Sequence, residues 1–148
     1  MATPTVFGRS LLLDKGDLAF VAGDFAVTEA RDNFFQGMRN MINTPFGSDI
    51  FNVRYGFDLL GCLSAPQPPS MIKQLIRLNI VKSLSTDNRI RQIEDIAFDD
   101  EARFYELSPT SDPDANADVR RLSRKWQAIV IVQTVQDGSI TITLGGLG

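Results

Sequence analysis

The chain has no histidine and only one cysteine, Cys62, among its 148 residues. Without an imidazole, neither a Ser-His-Asp nor a Cys-His nucleophilic centre can be assembled. Zinc is likewise deprived of its usual ligands, so neither a metal nor a cofactor is expected. A lone thiol cannot close an internal disulfide, which suits a reducing compartment. Apolar runs of the roughly 20 residues a membrane span needs are missing. Met1–Arg9 also lacks the basic and apolar regions of a secretory leader. Nor is there an excess of positive charge. Fifteen Lys and Arg face 18 Asp and Glu, for a net charge of -3, which offers nucleic acid no electrostatic footprint. No Gly-rich strand-to-helix turn reads as a phosphate cradle, since nothing helical follows Gly145-Gly146-Leu147-Gly148. Carboxylate chemistry is the one enzymatic option left.

What is present suits a single domain over residues 1–148, large enough to bury roughly 68–70% of its unfolded surface. Residues 1–15 read as a flexible N-terminal arm. Leu18 and Phe20, then Phe25 and Val27, alternate around Ala22-Gly23-Asp24, whose small residues suit a hairpin turn. A helix is predicted from Glu29 to Asn43, capped by Thr28, with Ala30, Phe34, Met38, Met41 and Ile42 on its apolar face. Pro45 stops it near Thr44. The irregular stretch Phe46–Ser70 carries too many large apolar groups to be floppy. It either packs across the domain or offers apolar anchors, with Phe51, Tyr55 and Phe57 as the candidates. A second helix, Ser70–Leu84 with Ser70 as cap, is apolar enough for most of it to be buried; Lys73 and Arg77 mark one polar stripe.

The rest reads as β-structure. Ile90, Ile93, Ile96 and Phe98 form a strand whose alternation slips once, as at a bulge. Residues 99–118 hold seven acids against one base, Arg103, and read either as a solvated acidic loop or as an acidic docking surface. Trp126, Ala128, Val130 and Val132 share one strand face and Ile129 and Ile131 the other, which predicts a central strand. Asp137-Gly138 suits a two-residue turn into a last strand, where Ile140, Ile142 and Leu144 alternate with Ser139, Thr141 and Thr143. No charge or proline protects Ser139–Leu144. At a sheet edge it would template another chain's strand; the alternative is an ordinary strand covered on both sides. The fold class is therefore α+β: a small mixed sheet with a C-terminal hairpin packed against two main helices, plus an N-terminal hairpin.

The stretch Gly23–Gly56 carries a further pattern: Gly23-Asp24, Gln36, Met38, Met41-Ile42, Thr44-Pro45, Gly47 and Tyr55-Gly56. A loop, an apolar helix, the tripeptide Asp87-Asn88-Arg89 and a strand follow. This order resembles the baseplate wedge or sheath-initiator family of contractile phage tails and injection systems, once called tail-lysozyme-like. The family's tripeptide is acid-Pro-Arg, so here the proline is lost while the acid and arginine remain. The resemblance spans most of residues 16–144. It implies a structural baseplate protein, without catalysis, assembled in the cytoplasm and carried into the virion or injection particle.

Its implied partners are the larger wedge subunits, the first-ring sheath protein, and inner tube or spike proteins. The tripeptide would make the wedge contact, with Arg89 gripping a wedge carboxylate, unless it is only a local turn. The last strand, Ser139, Ile140, Thr141, Ile142, Thr143 and Leu144, would accept strands from the sheath, and deleting Ser139–Gly148 should leave a folded protein. The competing readings are a carboxylate-based glycan hydrolase, which needs two acids about 5–9.5 Å apart in a cleft, and a generic protein-binding module.

Overall fold

The computed structural model of the chain describes residues 6–109, 126–136 and 138–147. Its first part is built from turns. Lys15-Gly16 and Ala22-Gly23 all have positive φ, the geometry of tight two-residue hairpin turns. They join β2 (Leu13–Asp14) to β3 (Asp17–Leu18) and β4 (Phe20–Val21) to β5 (Asp24–Phe25). A third ribbon pairs β1 (Arg9–Leu11) with β6 (Val27–Glu29). The three ribbons meet in a closed triangle of backbone hydrogen bonds. Leu12 N–H donates to Ala26 (2.8 Å), Ala26 to Ala19 (2.9 Å) and Ala19 to Leu12 (3.0 Å). One hairpin was expected here, and the Lys15-Gly16 ribbon was missed. The expected flexible arm is also corrected. Residues 1–5 lie outside the described residues, but Phe7 is buried in the core and residues 9–14 are paired.

Helix α1 (Ala30–Asn43) follows β6 directly, and Glu29, not Thr28, stands at its N-cap without a side-chain cap. Thr28 cannot cap because β6 pairs it with Ser10 and buries it. The helix ends at Thr44, as Pro45 requires. A short helix α2 (Leu59–Ser64), capped by the Asp58 carboxylate, interrupts the stretch read as irregular. Helix α3 (Pro69–Leu84) starts with proline at its first position, where the ring is tolerated, rather than with a Ser70 cap. Only one of its stripes, Ile72-Ile76-Ile80-Leu84, is fully buried, so the helix is less buried than its composition suggested. Met71, Leu78 and Val81 stay exposed.

The second β-region is a sheet of three long strands, β7 (Ile90–Phe98), β8 (Trp126–Thr134) and β9 (Gly138–Leu147), in that order. It is antiparallel throughout rather than mixed. The short turn from β8 to β9 cannot make the crossover that a parallel pair needs, and β7 pairs antiparallel with β8 although a short helix lies between them. β7 shifts register twice against β8. The hairpin partners Thr134 and Gly138 enclose three residues, so the expected two-residue turn is not formed; Asp137 lies outside the described residues. One sheet face, through Trp126, Ala128, Val130, Val132, Ile140, Ile142 and Leu144, forms the main core with Phe34, Met38, Met41 and the α3 stripe. The reverse face carries a smaller cluster in which Ala97 and Ile129 pack on Phe104 of α4 (Ala102–Leu107). The acidic stretch was expected to be a loop, and its first part is this helix. Asp112, Asp114 and Asp118 lie outside the described residues. Among the described residues, no helix is long and apolar enough to cross a membrane.

Candidate functional site

β9 is an edge strand: β8 occupies one side, and among the described residues no strand occupies the other. Which backbone groups face out follows from two hydrogen bonds of β8. Val135 N–H donates to Arg89 O and Gln127 O accepts from Asp99 N–H, so odd-numbered β8 residues point toward β7. Even-numbered ones therefore point toward their β9 partners Leu144, Ile142, Ile140 and Gly138. Ser139, Thr141 and Thr143 are left with N–H and C=O directed at the open edge. Their side chains are exposed, while Ile140, Ile142 and Leu144 are buried. The same alternation thus anchors the strand through one set of residues and opens its backbone through the other.

The tripeptide closes on itself. Arg89 Nε lies 2.9 and 3.1 Å from the Asp87 carboxylate oxygens, and the Arg89 backbone N–H also donates to Asp87 at 2.9 Å. Burial by itself would raise the Asp87 carboxyl, but the Arg89 hydrogen bonds and charge outweigh it and hold the pKa below the usual value. The Arg89 guanidinium lies 5.2 Å over the Phe34 ring and close to Gly37, where a Cβ would come within 3.1 Å of it. The fork expected to grip a wedge carboxylate is engaged inside the chain. Asn88 is the exposed member of the three.

Other residues of the resemblance also act as fasteners. Gln36 accepts from Leu13 N–H (2.9 Å) and donates to Leu11 O (2.8 Å), tying the N-terminal ribbons to α1. Asn33, absent from the sequence reading, donates to Phe7 O (2.6 Å). Gly56 has φ +106, and a Cβ there would lie 2.6 Å from Thr44 O, because Phe57 N–H bonds that same carbonyl at 2.8 Å. The three candidate anchors separate. Phe57 is in the core, Tyr55 is half-buried beside it, and Phe51 is 93% exposed. Ile50, Val53 and Leu60 are exposed as well.

The described acids of the 99–118 stretch hold the fold together. Lys73 pairs with Asp100 (2.7 Å) and Arg77 with Glu101 (2.8 Å), and both cations lie over the Phe98 ring. Arg103 bridges Asp95 and Glu106. The polar stripe of α3 is thereby clamped to the end of β7. Among the described residues no group of His, Cys, Asp and Glu is placed to hold a metal ion. Comparison with protein-family models, curated proteins and solved structures finds no match to this chain.

Proposed function

We propose that this chain is a structural component of the baseplate of a contractile tail or injection system, docking on wedge subunits and receiving a strand from the first sheath ring along β9. The observation that carries the reading is the open edge at Ser139, Thr141 and Thr143, free of charge and proline and continuous with a packed sheet. Each backbone pair formed there adds about 0.5–1.5 kcal/mol with little demand on the partner's sequence. The wedge-facing surface falls to exposed Asn88 and to the apolar groups Phe51, Met71 and Leu78, which suit packing on partner helices.

Thr141→Pro tests the edge. Proline is tolerated where the lost N–H faces away from the ladder, so the fold should persist while strand acceptance fails. The variant is co-expressed with sheath and wedge proteins from the same source, and sheaths are counted by electron microscopy. Folded protein without sheath is the expected result; sheaths of normal length overturn the proposal.

A further inference from the structure

Beside the open edge lies a cleft of about 320 Å³, walled by Phe35, Arg39 and Ile42 of α1 and by Ile142, Leu144 and Gly145 of β9. It shares Phe35, Arg39 and Asn43 with a second depression of about 540 Å³ that reaches Lys15, Asp32 and Gln36 at the N-terminal ribbons. The two form one groove along α1, with Arg39 at their junction. Arg39 is exposed, and among the described residues no carboxylate pairs with it. A Cβ placed on Gly145 would meet nothing within 4 Å, so the end of β9 is open to close approach.

A strand added to β9 directs alternate side chains to the face shared by Ile142 and Leu144, and that face opens onto this groove. We infer that the groove selects which strand β9 receives: an extended segment of another polypeptide with an apolar residue seated against Phe35, Ile42 and Leu144, and an Asp or Glu two positions away paired with Arg39. The inference rests on the proposed role of β9 and adds the identity of the partner's side chains. The backbone edge is indifferent to sequence, so it holds any extended chain. The guanidinium supplies the discrimination, because its planar fork matches a carboxylate in two parallel hydrogen bonds. Lys15 adds positive charge further along the groove and Asp32 offsets it, which leaves Arg39 as the cation nearest the edge.

The test uses the full chain and labelled ten-residue peptides of alternating Thr and Val, one Val replaced by Glu, with the Glu→Gln peptide as control. Binding is followed by fluorescence anisotropy in wild type, R39A, R39K and T141P. The Glu peptide should bind wild type about tenfold more tightly than the Gln peptide, a difference of about 1.4 kcal/mol. R39A should erase that preference while leaving Gln-peptide binding intact. R39K should restore part of it, and added salt should reduce it. T141P should abolish binding of both peptides. Equal affinity of wild type for the two peptides, with both lost in T141P, overturns the inference and leaves the β9 reading standing. Binding that survives in T141P overturns the β9 reading itself, and a Glu preference that survives in R39A overturns the role of Arg39. Absence of saturable Glu-peptide binding to wild type overturns the inference outright.

Discussion

The molecule contains two β-regions held by different forces. Strands of the N-terminal ribbons are two or three residues long, and they leave Phe20 64% and Val21 65% exposed. Those of the C-terminal sheet are nine or ten residues long and bury Ile140 to 1%. Strands of two residues have too little face to form a core, so turn geometry, the Leu12–Ala19–Ala26 triangle and amide clamps from α1 hold the ribbons. The sheet is held mainly by one large buried face, with the smaller α4 cluster on its reverse, and neither occupies its outer edge. Burial can therefore fix β9 firmly while its backbone stays open for pairing, an arrangement not available to the ribbons.

The largest expected effect sharpens that contrast. Ile140→Ala should cost about 2–5 kcal/mol in urea unfolding, as for other fully buried large-to-small changes. Phe20→Ala, whose ring contacts Phe25 at 4.7 Å in the open, should cost about 0.5 kcal/mol or less. Comparable losses at the two sites would break the comparison. The same burial corrects one expectation from sequence: removing Ser139–Gly148 would take Ile140, Ile142 and Leu144 out of the main core and would not leave a folded protein.

Gln36→Ala should come next, at about 0.5–1.5 kcal/mol, since Leu13 N–H and Leu11 O lose their side-chain partner together at a partly exposed site. Its signature is regional. Hydrogen exchange should quicken in residues 9–29 while amides of β8 keep their protection. Uniform quickening through the sheet would mean that the ribbons and the core form one cooperative unit. A similar comparison applies to Arg89→Ala, at the residue to which the resemblance assigns a wedge carboxylate. Because Arg89 is held by Asp87 and lies over Phe34, the variant should lower stability first, and Asn88→Ala is the substitution that probes docking at unchanged stability.

The long C-terminal strands were legible because burial of one face imposes a period of two, visible in Trp126, Ala128, Val130 and Val132 and again in Ile140, Ile142 and Leu144. Both main helices were legible for the matching reason. The β2–β3 ribbon was not, since strands of two exposed residues carry no period. Its one signal was the repetition of Gly-Asp at Gly16-Asp17 and Gly23-Asp24. The α2 and α4 helices, six residues each, are shorter than two turns and fell below what spacing reveals. For the site, the uncharged terminal strand was readable and so was its hairpin, but its place at the sheet edge depends on strand order. The pairing of Arg89 with Asp87 was hidden for a different reason: an acid and an arginine two residues apart read equally well as a local turn or as a free docking pair.

The smallest expected effect concerns that pair, a polar lock at the turn between α3 and the C-terminal sheet. The folded-state pKa of Asp87 is depressed, so the carboxylate contributes stability above its ordinary value of about 3.9 and loses it as pH falls through the depressed value. Wild type should therefore weaken on acidification below about pH 4 through this group. Asp87→Asn, unable to titrate, should be less stable than wild type at pH 7 and should show a shallower decline through the same acid range. Parallel stability–pH curves for the two proteins, measured by urea unfolding between pH 2 and pH 7, would remove Asp87 as the lock. The contact of Arg89 with Phe34 would then have to hold the 85–89 turn through cation–π attraction and packing alone.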